Sequence, residues 1–257
     1  NNIRKTKINN NTKIKRNKKS KTLTLIQNLK FTQKNSIKSL IIGISGGIDS
    51  AVTSTLCAKT GINTFVVSMP ILDHQVLNDR GASHIKWLKE NFRNIEDFNA
   101  DLSEVFKSFQ TTMNKNNSEH GYANSQARLR MTTLYQIAAS NNGIVVGTGN
   151  KVEDFGIGFY TKYGDGGVDI SPIADCLKTE IWEMGKALNI NQEIIDAPPT
   201  DGLWTDGRTD EQQVGLSYEE IEEAMLNENS INRQKYLDIR KNNTHKMLPI
   251  PVCILPK

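Results

Sequence analysis

The segment SLIIGISGGIDSAV, residues 39–52, joins an apolar run to a helix-forming run through a pair of glycines. Residues 39–44 predict a buried strand, and residues 49–59 predict a helix with apolar residues at helical spacing. Gly46 and Gly47 allow a tight turn whose backbone N–H groups converge on an anion, and the helix adds the positive end of its dipole. A phosphate-binding turn is therefore predicted, and the plainer alternative is a turn followed by a capped helix.

Strand and helix patterns alternate through the first part of the chain. Strands are expected at residues 39–44, 64–69, 95–100 and 143–147, and helices at 23–30, 49–59, 74–92, 103–113 and 125–140. Later segments are expected to be loops at 114–123 and 201–213, irregular at 150–167, and helical at 179–189, 218–226 and 233–241. The alternation is typical of an α/β fold with a parallel β-sheet flanked by helices on both faces.

Charge is distributed unevenly along the chain. Residues 1–48 hold 12 of the 32 Lys and Arg residues and no acid, which leaves 20 basic against 28 acidic residues, a formal charge of −8, in the remainder. A nucleic-acid binder needs a basic face on its folded part, so no nucleic-acid partner is expected. The Asn/Lys-rich residues 1–21 predict a disordered basic tail, with a transit peptide as the alternative, and residues 22–257 a single domain.

Apolar and cysteine content indicate the cellular setting. No run of 18 or more apolar residues occurs, so no membrane span is expected. Cys57, Cys176 and Cys253 are far apart and form no CxxC pair, so they do not make a zinc site by themselves. Sparse cysteines are typical of a reducing compartment, and a cytoplasmic protein is predicted.

The glycine turn carries an unusual acid. Ser45 and Ser50 offer hydroxyl donors, whereas Asp49 places a carboxylate where a phosphate is expected. The carboxylate is explained if Mg²⁺ lies between them, because Mg²⁺ is commonly held by one or two carboxylates together with substrate phosphates. No Lys follows the glycines, so the GxxxxGK[ST] loop is excluded.

SGGIDS resembles the signature of ATP pyrophosphatases, which cleave ATP to AMP and pyrophosphate while adenylating a substrate. Five further segments, QARLRM, VVGTGNKVED, FYTKYGDGGVDISP, APPTDGLW and HKM, resemble ammonia-dependent NAD synthetase in family order between about residues 40 and 252. The resemblance implies a Rossmann-like fold of the ATP pyrophosphatase type and a homodimer. It also implies a ligase with a reaction in two steps. ATP adenylates nicotinic acid adenine dinucleotide and Mg-pyrophosphate is released, and ammonia then displaces AMP to give NAD.

The resemblance further implies a role for each matching residue. ATP is expected at Gly43, Ile44, Ser45, Gly46, Gly47, Ile48, Asp49, Ser50, Thr148, Lys178 and Thr200. The dinucleotide substrate is expected at Arg128, Lys162, Asp169, His245 and Lys246, and Mg²⁺ at Asp49 and Glu153. Asp165 and Lys178 are expected to be catalytic, because a carboxylate can take a proton from ammonium and a lysine can stabilise charge on departing pyrophosphate.

Several details leave alternatives open. Arg130 lies near Arg128 on another face of the same predicted helix, and Asp154 competes with Glu153 as a metal ligand. Compared with some family members, this chain has one extra residue between Thr148 and Lys162. The polar loop at 201–213 is long enough to be a lid that excludes water from an acyl-adenylate.

Two other function classes remain as alternatives. One keeps the ATP site but changes the acceptor to a tRNA base or another carboxylate, and the other is a non-enzymatic nucleotide-binding or scaffold protein. The acidic body disfavours tRNA, and the intact set of Asp49, Glu153, Lys162 and Lys178 favours an enzyme. Without the added amidase domain of glutamine-using relatives, free ammonia is the expected nitrogen donor, and a separate glutaminase partner stays open.

Overall fold

A computed structural model of the protein describes residues 37–71, 75–204 and 206–255. The predicted tail at 1–21 and the predicted helix at 23–30 lie outside the described residues, so the tail and the domain boundary at residue 22 stay predictions. None of the described helices is both long enough and apolar enough to cross a membrane.

The described sheet has four parallel strands in the order β3-β2-β1-β4, which confirms the predicted fold class. They are β1 (Ser39–Gly43), β2 (Asn63–Ser68), β3 (Ile95–Asn99) and β4 (Gly143–Val145). The chain moves outward from β1 to β3 and then returns to the other side of β1. This reversal makes a topological switch point between β1 and β4, where open α/β sheets bind ligands beyond the carboxyl ends of the strands.

Helices connect and cover these strands. They are α1 (Ile48–Thr60), α2 (Gln75–Asn91), α3 (Ser103–Thr112), α4 (Glu119–Ser140), α5 (Lys178–Ala187), α6 (Gln192–Ile195), α7 (Asp210–Val214), α8 (Tyr218–Leu226) and α9 (Arg233–Met247). A π-helix, Lys151–Ile157, lies between β4 and α5. Gly61 ends α1 in a left-handed conformation with φ 79°, as its position after the apolar pattern predicted.

Alternation along β1 explains why both faces of the sheet are covered. Leu40 and Ile42 pack with residues of α1, α2 and α5, whereas Ile41 packs with residues of α3 and α4 on the other face. All three side chains are fully buried, and each contributes roughly 1.5–3 kcal/mol to folding. The apolar run that predicted a buried strand is therefore the centre of two cores.

A third cluster positions the later part of the chain. It joins Val152 and Ile157 of the π-helix to Ile221 of α8 and Tyr236 of α9. Arg240 of α9 also donates to the carbonyl of Gly156 at 2.6 Å. The π-helix is consequently held from its apolar side, and the acidic residues Glu153 and Asp154 remain near the sheet edge.

Three sequence predictions were wrong in extent because capping side chains were not recognised. The predicted loop at 114–123 ends early, since Ser118 accepts from the N–H of Gly121 and starts α4 at Glu119. The last four residues of the predicted loop at 201–213 belong to α7, which Thr209 caps through the N–H of Gln212. The segment at 150–167, predicted as irregular, contains the π-helix, which Asn150 caps. Helix α9 also continues beyond residue 241 to Met247.

Candidate active site

The glycine turn after β1 has the backbone geometry that the sequence predicted. Gly46 has φ 82°, and a Cβ there would overlap the carbonyl oxygen of Leu77. Gly47 is the N-cap of α1, and no side chain caps this helix end. The first N–H groups of α1 therefore face the space beyond β1, where an anion would be stabilised by these groups and by the helix dipole.

The two serines of the turn have different roles. Ser50 is 2% exposed and donates its hydroxyl proton to the carbonyl of Gly47 at 2.9 Å. Ser45 is exposed and contacts the Ser50 hydroxyl at 3.1 Å. Ser50 therefore stabilises the turn, whereas Ser45 presents its side chain to a ligand.

A buried lysine joins two carboxylates beside this turn. Lys178 Nζ lies 2.5 Å from Asp49 Oδ2 and 2.8 Å from Glu153 Oε1, and Lys178 is only 2% exposed. The side-chain amide of Asn150 donates to Asp49 Oδ1 at 3.0 Å. The carbonyl oxygen of the same amide accepts the N–H groups of Val152 and Glu153 and so begins the π-helix. One residue thus orients both acids.

Burial and charge act differently on the three members. Burial opposes the charge of Lys178, but Asp49 and Glu153 outweigh it, so the pKa of Lys178 is raised. Burial raises the pKa of Asp49 despite the nearby ammonium. For Glu153 burial acts in the same direction, but Lys178 and a hydrogen bond from Tyr218 outweigh it and the pKa is lowered. One ammonium between two carboxylates leaves an excess negative charge that favours a further cation.

The donor set decides which cation fits. Within the part of the chain that the structure describes, no three His, Cys, Asp or Glu side chains converge as a metal site. Asp49 and Glu153 nevertheless meet at one cationic group, the ammonium of Lys178. Two carboxylates completed by phosphate oxygens and water fit Mg²⁺, which rarely uses an all-protein cage.

A cavity of about 510 Å³ opens beyond the carboxyl ends of β1 and β4. Its wall includes every residue predicted to bind ATP, both predicted metal ligands, and Asp165 and Lys246. Thr200 lies in the wall at the start of the predicted lid, where its hydroxyl donates to the carbonyl of Arg208 at 2.9 Å. The glycine turn, the paired carboxylates and the start of the predicted lid thus border one space.

Residues 18–248 of the chain match the family described as NAD synthase. The chain belongs to the NAD synthase family. Membership makes it an enzyme of the ligase class with ATP as a co-substrate, as the sequence predicted. Membership of an enzyme family also excludes the alternative of a non-enzymatic scaffold.

Several NAD synthase relatives carry the name predicted from the sequence, NH(3)-dependent NAD(+) synthetase. The protein from Finegoldia magna is 37% identical over 213 residues, which cover 82% of this chain and 86% of the relative. The protein from Saccharolobus solfataricus is 37% identical over 239 residues, which cover 89% and 77%. The protein from Alkaliphilus metalliredigens is 40% identical over 201 residues, which cover 75% and 80%.

Solved structures show the same fold. NMN synthetase from Francisella tularensis superposes with a TM-score of 0.82 at 32% identity, over 93% of this chain and 98% of that one. NH3-dependent NAD synthetase from Campylobacter jejuni, in complex with nitrate, superposes with a TM-score of 0.76 at 24% identity, over 92% and 99%. The predicted family and its α/β architecture are therefore confirmed.

Four residues predicted to bind the dinucleotide lie outside the cavity wall. Arg128 Nε donates to the carbonyl of Lys162 at 3.2 Å, and Lys162 Nζ donates to the carbonyl of His245 at 3.0 Å, so these three form a partly exposed outer cluster. The fourth, Asp169, accepts from the N–H of Val145 at 2.7 Å and closes the end of β4. Their role as ligands stays a prediction.

The structure separates the two arginines and the two adjacent acids. Arg130, not Arg128, lies in the cavity wall, and its Nε donates to the carbonyl of Met69 at 3.1 Å. Burial lowers the pKa of Arg130 to about 10. Glu153 and Asp154 both line the cavity. Glu153 pairs with Lys178, and burial raises the pKa of Asp154 to about 8. The spacing argument for Glu153 agrees with this geometry.

The segment after β4 contains a helical form that is rare in proteins. A π-helix closes its hydrogen bonds between residues five apart, rather than four apart as in an α-helix, and such turns are frequent at functional sites. The segment Lys151–Ile157 adopts this form while Glu153 still reaches Lys178. At its far end Lys246 donates to the carbonyls of Gly158 and Tyr160, each at 2.9 Å.

Sequence reasoning missed two residues behind the carboxylates. The hydroxyl of Tyr218 lies 2.5 Å from Glu153 Oε1 and 2.7 Å from Asp210 Oδ2. Asp210 begins α7 and Tyr218 begins α8, and no spacing in the sequence relates them to Glu153. Asn150 could have been found, because an Asn between a strand end and a helical segment is a typical cap.

Proposed function

We propose that this chain makes NAD from nicotinic acid adenine dinucleotide, ATP and ammonia, with AMP and pyrophosphate as the other products. The observation that carries the proposal is the convergence of Asp49, Glu153 and Lys178 at the uncapped start of α1 within one cavity. The relatives named NH(3)-dependent NAD(+) synthetase support ammonia as the nitrogen donor.

ATP would bind along residues 43–50 with its phosphates at the start of α1. Backbone N–H groups and the Ser45 hydroxyl would contact the phosphates, and Thr148 and Thr200 would contact the nucleotide from the wall. Asp49 and Glu153 would hold Mg²⁺, which when bound would neutralise phosphate charge. The polar loop at 201–213, the predicted lid, would exclude water from the adenylate.

The chemistry has two steps. First, an oxygen of the nicotinate carboxylate attacks the α-phosphorus of ATP, and the bond to pyrophosphate breaks. Lys178 stabilises the charge that develops on the departing pyrophosphate. Second, ammonia attacks the acyl carbon, and AMP leaves with the electrons of the acyl–oxygen bond.

Asp165 would supply the base for the second step, because ammonium must lose a proton before it can attack. The carboxyl of Asp165 lies in the cavity wall and accepts the N–H of Thr161 at 2.9 Å. The surrounding protein raises the pKa of Asp165 to about 6, while one edge of the residue stays open to the cavity. A base whose pKa lies nearer to neutrality transfers protons more effectively.

The dinucleotide would extend from the cavity towards the outer cluster of Arg128, Lys162 and His245. Lys246 in the wall and Asp169 beside β4 would complete the predicted substrate contacts.

A homodimer is part of the proposal, since a partly exposed basic cluster outside the cavity can be completed by a second copy. Light scattering of the purified protein would test the dimer. A cytoplasmic location is also proposed, because three widely separated cysteines are typical of a protein from a reducing compartment.

One observation favours a second acceptor. The NMN synthetase of Francisella tularensis shares 32% identity and a TM-score of 0.82 with this chain. The same two steps acting on nicotinic acid mononucleotide would give NMN. Only the distal nucleotide half of the acceptor differs, so the ATP site and Asp165 would serve both reactions.

An assay with both acceptors tests the proposal. Purified protein is incubated with Mg-ATP, ammonium chloride and either nicotinic acid adenine dinucleotide or its mononucleotide, and the amide product and AMP are measured together. NAD with matching AMP is the expected result, and faster NMN formation would favour the second acceptor. Replacing ammonium by glutamine tests the nitrogen donor. If AMP is released with neither of the two acceptors, the proposed substrate is overturned.

A further inference from the structure

Tyr218 places a single hydroxyl between two carboxyl groups. Its oxygen lies 2.5 Å from Glu153 Oε1 and 2.7 Å from Asp210 Oδ2. Tyr218 and Asp210 are each only 6% exposed, so water does not replace either contact. The ring of Tyr218 also packs under the ammonium of Lys178, which lies 4.7 Å from the ring centroid.

The hydroxyl proton of Tyr218 is shared between the two carboxyl groups. A phenol has one proton to donate, and both Glu153 Oε1 and Asp210 Oδ2 lie within hydrogen-bond distance of it. Glu153 also binds the ammonium of Lys178 and is the anionic partner. The phenol therefore ties the orientation of the Glu153 carboxylate to the position of Asp210.

Asp210 also belongs to the base of the lid. It is the first residue of α7, and its N–H donates to the carbonyl of Pro199 at 3.0 Å. The Thr200 hydroxyl donates to the carbonyl of Arg208 at 2.9 Å, so both ends of segment 200–209 meet next to Asp210. The chain of contacts from Asp210 through Tyr218 thus links the lid base to a proposed metal ligand.

We propose that Tyr218 and Asp210 are positioning residues, which hold the carboxylate of Glu153 in the orientation that binds Mg-ATP and keep it in register with the base of the lid. The inference rests on the proposed function, because it concerns the Mg²⁺ ligand of that site. Neither residue needs to touch substrate. Hydrogen-bond partners of metal ligands typically change metal affinity 10–100-fold when removed.

The test measures nucleotide binding without turnover. Full-length variants are titrated calorimetrically with α,β-methylene-ATP, once with Mg²⁺ and once with EDTA. The ratio of the two affinities in each variant is compared with the ratio in the unmodified protein. Tyr218→Phe keeps the ring but loses the hydroxyl, and we expect the Mg²⁺-dependent gain in affinity to fall about tenfold or more. Affinity in EDTA should stay close to that of the unmodified protein.

Tyr236→Phe is the matched control. Tyr236 is also 6% exposed and lies in the same apolar cluster, but no hydrogen bond of its hydroxyl is found in the described residues. Its variant should keep the full Mg²⁺ dependence. An unchanged Mg²⁺ dependence in folded Tyr218→Phe would overturn the inference.

Two substitutions of Asp210 give a second, independent comparison if Tyr218→Phe does not fold. Asp210→Asn keeps a side-chain oxygen that accepts from Tyr218 and should retain most of the Mg²⁺-dependent affinity, whereas Asp210→Leu removes the hydrogen bond and should lose it. Equal behaviour of the two variants would contradict the inference. No Mg²⁺ dependence in the unmodified protein would instead overturn the proposed function together with this inference.

Discussion

Lys178 Nζ lies 2.5 Å from Asp49 Oδ2 although 129 residues separate the two in sequence. Asp49 is in the first turn of α1 and Lys178 begins α5, and these helices pack together on one face of the sheet. Their contact is close at Gly185, where a Cβ would lie 2.7 Å from Ile48 Cδ1. Core packing between two helices therefore sets the distance between the charged groups of the site.

Replacing Lys178 with Met tests this ion triad. Two carboxylates would then face each other without their cation, so the free energy of unfolding should fall by about 3–5 kcal/mol. Turnover should fall roughly 10²–10³-fold, because charge on pyrophosphate loses a stabilising group. Urea unfolding and the two-product assay measure both effects. Lys107→Met is the control, since Lys107 pairs with Glu104 on the exposed side of α3 and should change neither quantity. Full activity of Lys178→Met would refute the role.

Substitutions of the two glycines test the turn. In Gly46→Ala a residue with a Cβ must adopt φ 82°, and the Cβ overlaps the carbonyl of Leu77. We therefore expect the free energy of unfolding to fall by about 2–3 kcal/mol and ATP binding to be lost. Gly47→Ala meets no atom closer than Ser45 Oγ at 3.5 Å and has φ −93°, so its stability should be preserved. Urea unfolding measures the stability of both variants, and calorimetric titration measures their ATP affinity. Equal losses in Gly46→Ala and Gly47→Ala would contradict the assigned geometry.

Replacing Asp165 with Asn tests the proposed base. Turnover should fall 10²–10⁴-fold while ATP affinity is kept, because only the proton transfer is removed. In the unmodified protein turnover should fall as the pH drops through about 6, where the Asp165 carboxylate takes up a proton, and this step should vanish in the variant. Asp238→Asn, on the exposed side of α9, serves as the control. Unchanged turnover of Asp165→Asn would remove Asp165 from the mechanism.

The sheet and the conformation of the glycine turn were predictable because their signals are local. The apolar run of β1, the glycines after it and the pattern of α1 are contiguous, and each directly constrains backbone conformation. The start of α4 was missed because the polar sequence around it is typical of a loop. A single hydrogen bond, from the N–H of Gly121 to the Ser118 hydroxyl, begins the helix there. Helix boundaries depend on such single hydrogen bonds more than on composition.

The site was predictable only where a residue stands in a motif. Asp49 and Glu153 share no local pattern, and the resemblance alone paired them. Which arginine faces the cavity depends on the rotation of α4 against the sheet, which puts Arg130 inside and Arg128 outside. Tyr218 could not be assigned, because its partners come from the π-helix and α7, two elements that the sequence did not reveal.

A buried acid on α8 supports the helix that carries Lys178. Glu222 accepts the N–H of Thr179 at 2.9 Å and its hydroxyl at 2.7 Å, and Glu222 is 7% exposed. Glu222→Ala would leave both groups unpaired, so stability should fall by about 2–3 kcal/mol and turnover should drop as Lys178 shifts. Glu222→Gln keeps one acceptor and should lose less. Glu228→Ala, an exposed change after α8, is the control for urea unfolding. No difference between the Ala and Gln variants would contradict this account.

His84 gives stability a pH dependence that is independent of catalysis. It is 1% exposed, its Nε2 contacts Ser54 Oγ at 3.0 Å, and burial lowers its pKa from 6.5 to about 4. Between these values the unfolded chain binds the proton and the folded chain does not, so stability is present above pH 6.5 and is lost as the pH falls towards 4. The loss from His84 between pH 7 and pH 5 should be about 2 kcal/mol.

The variant His84→Gln isolates this contribution, because every other titrating group is common to both proteins. Urea unfolding at pH 5, 7 and 8 should show that the unmodified protein loses about 2 kcal/mol more than the variant between pH 7 and pH 5. Between pH 7 and pH 8 the two should change in parallel, since His84 is neutral in both the folded and the unfolded chain. Parallel changes over the whole range would mean that His84 is protonated as readily in the fold as in the unfolded chain.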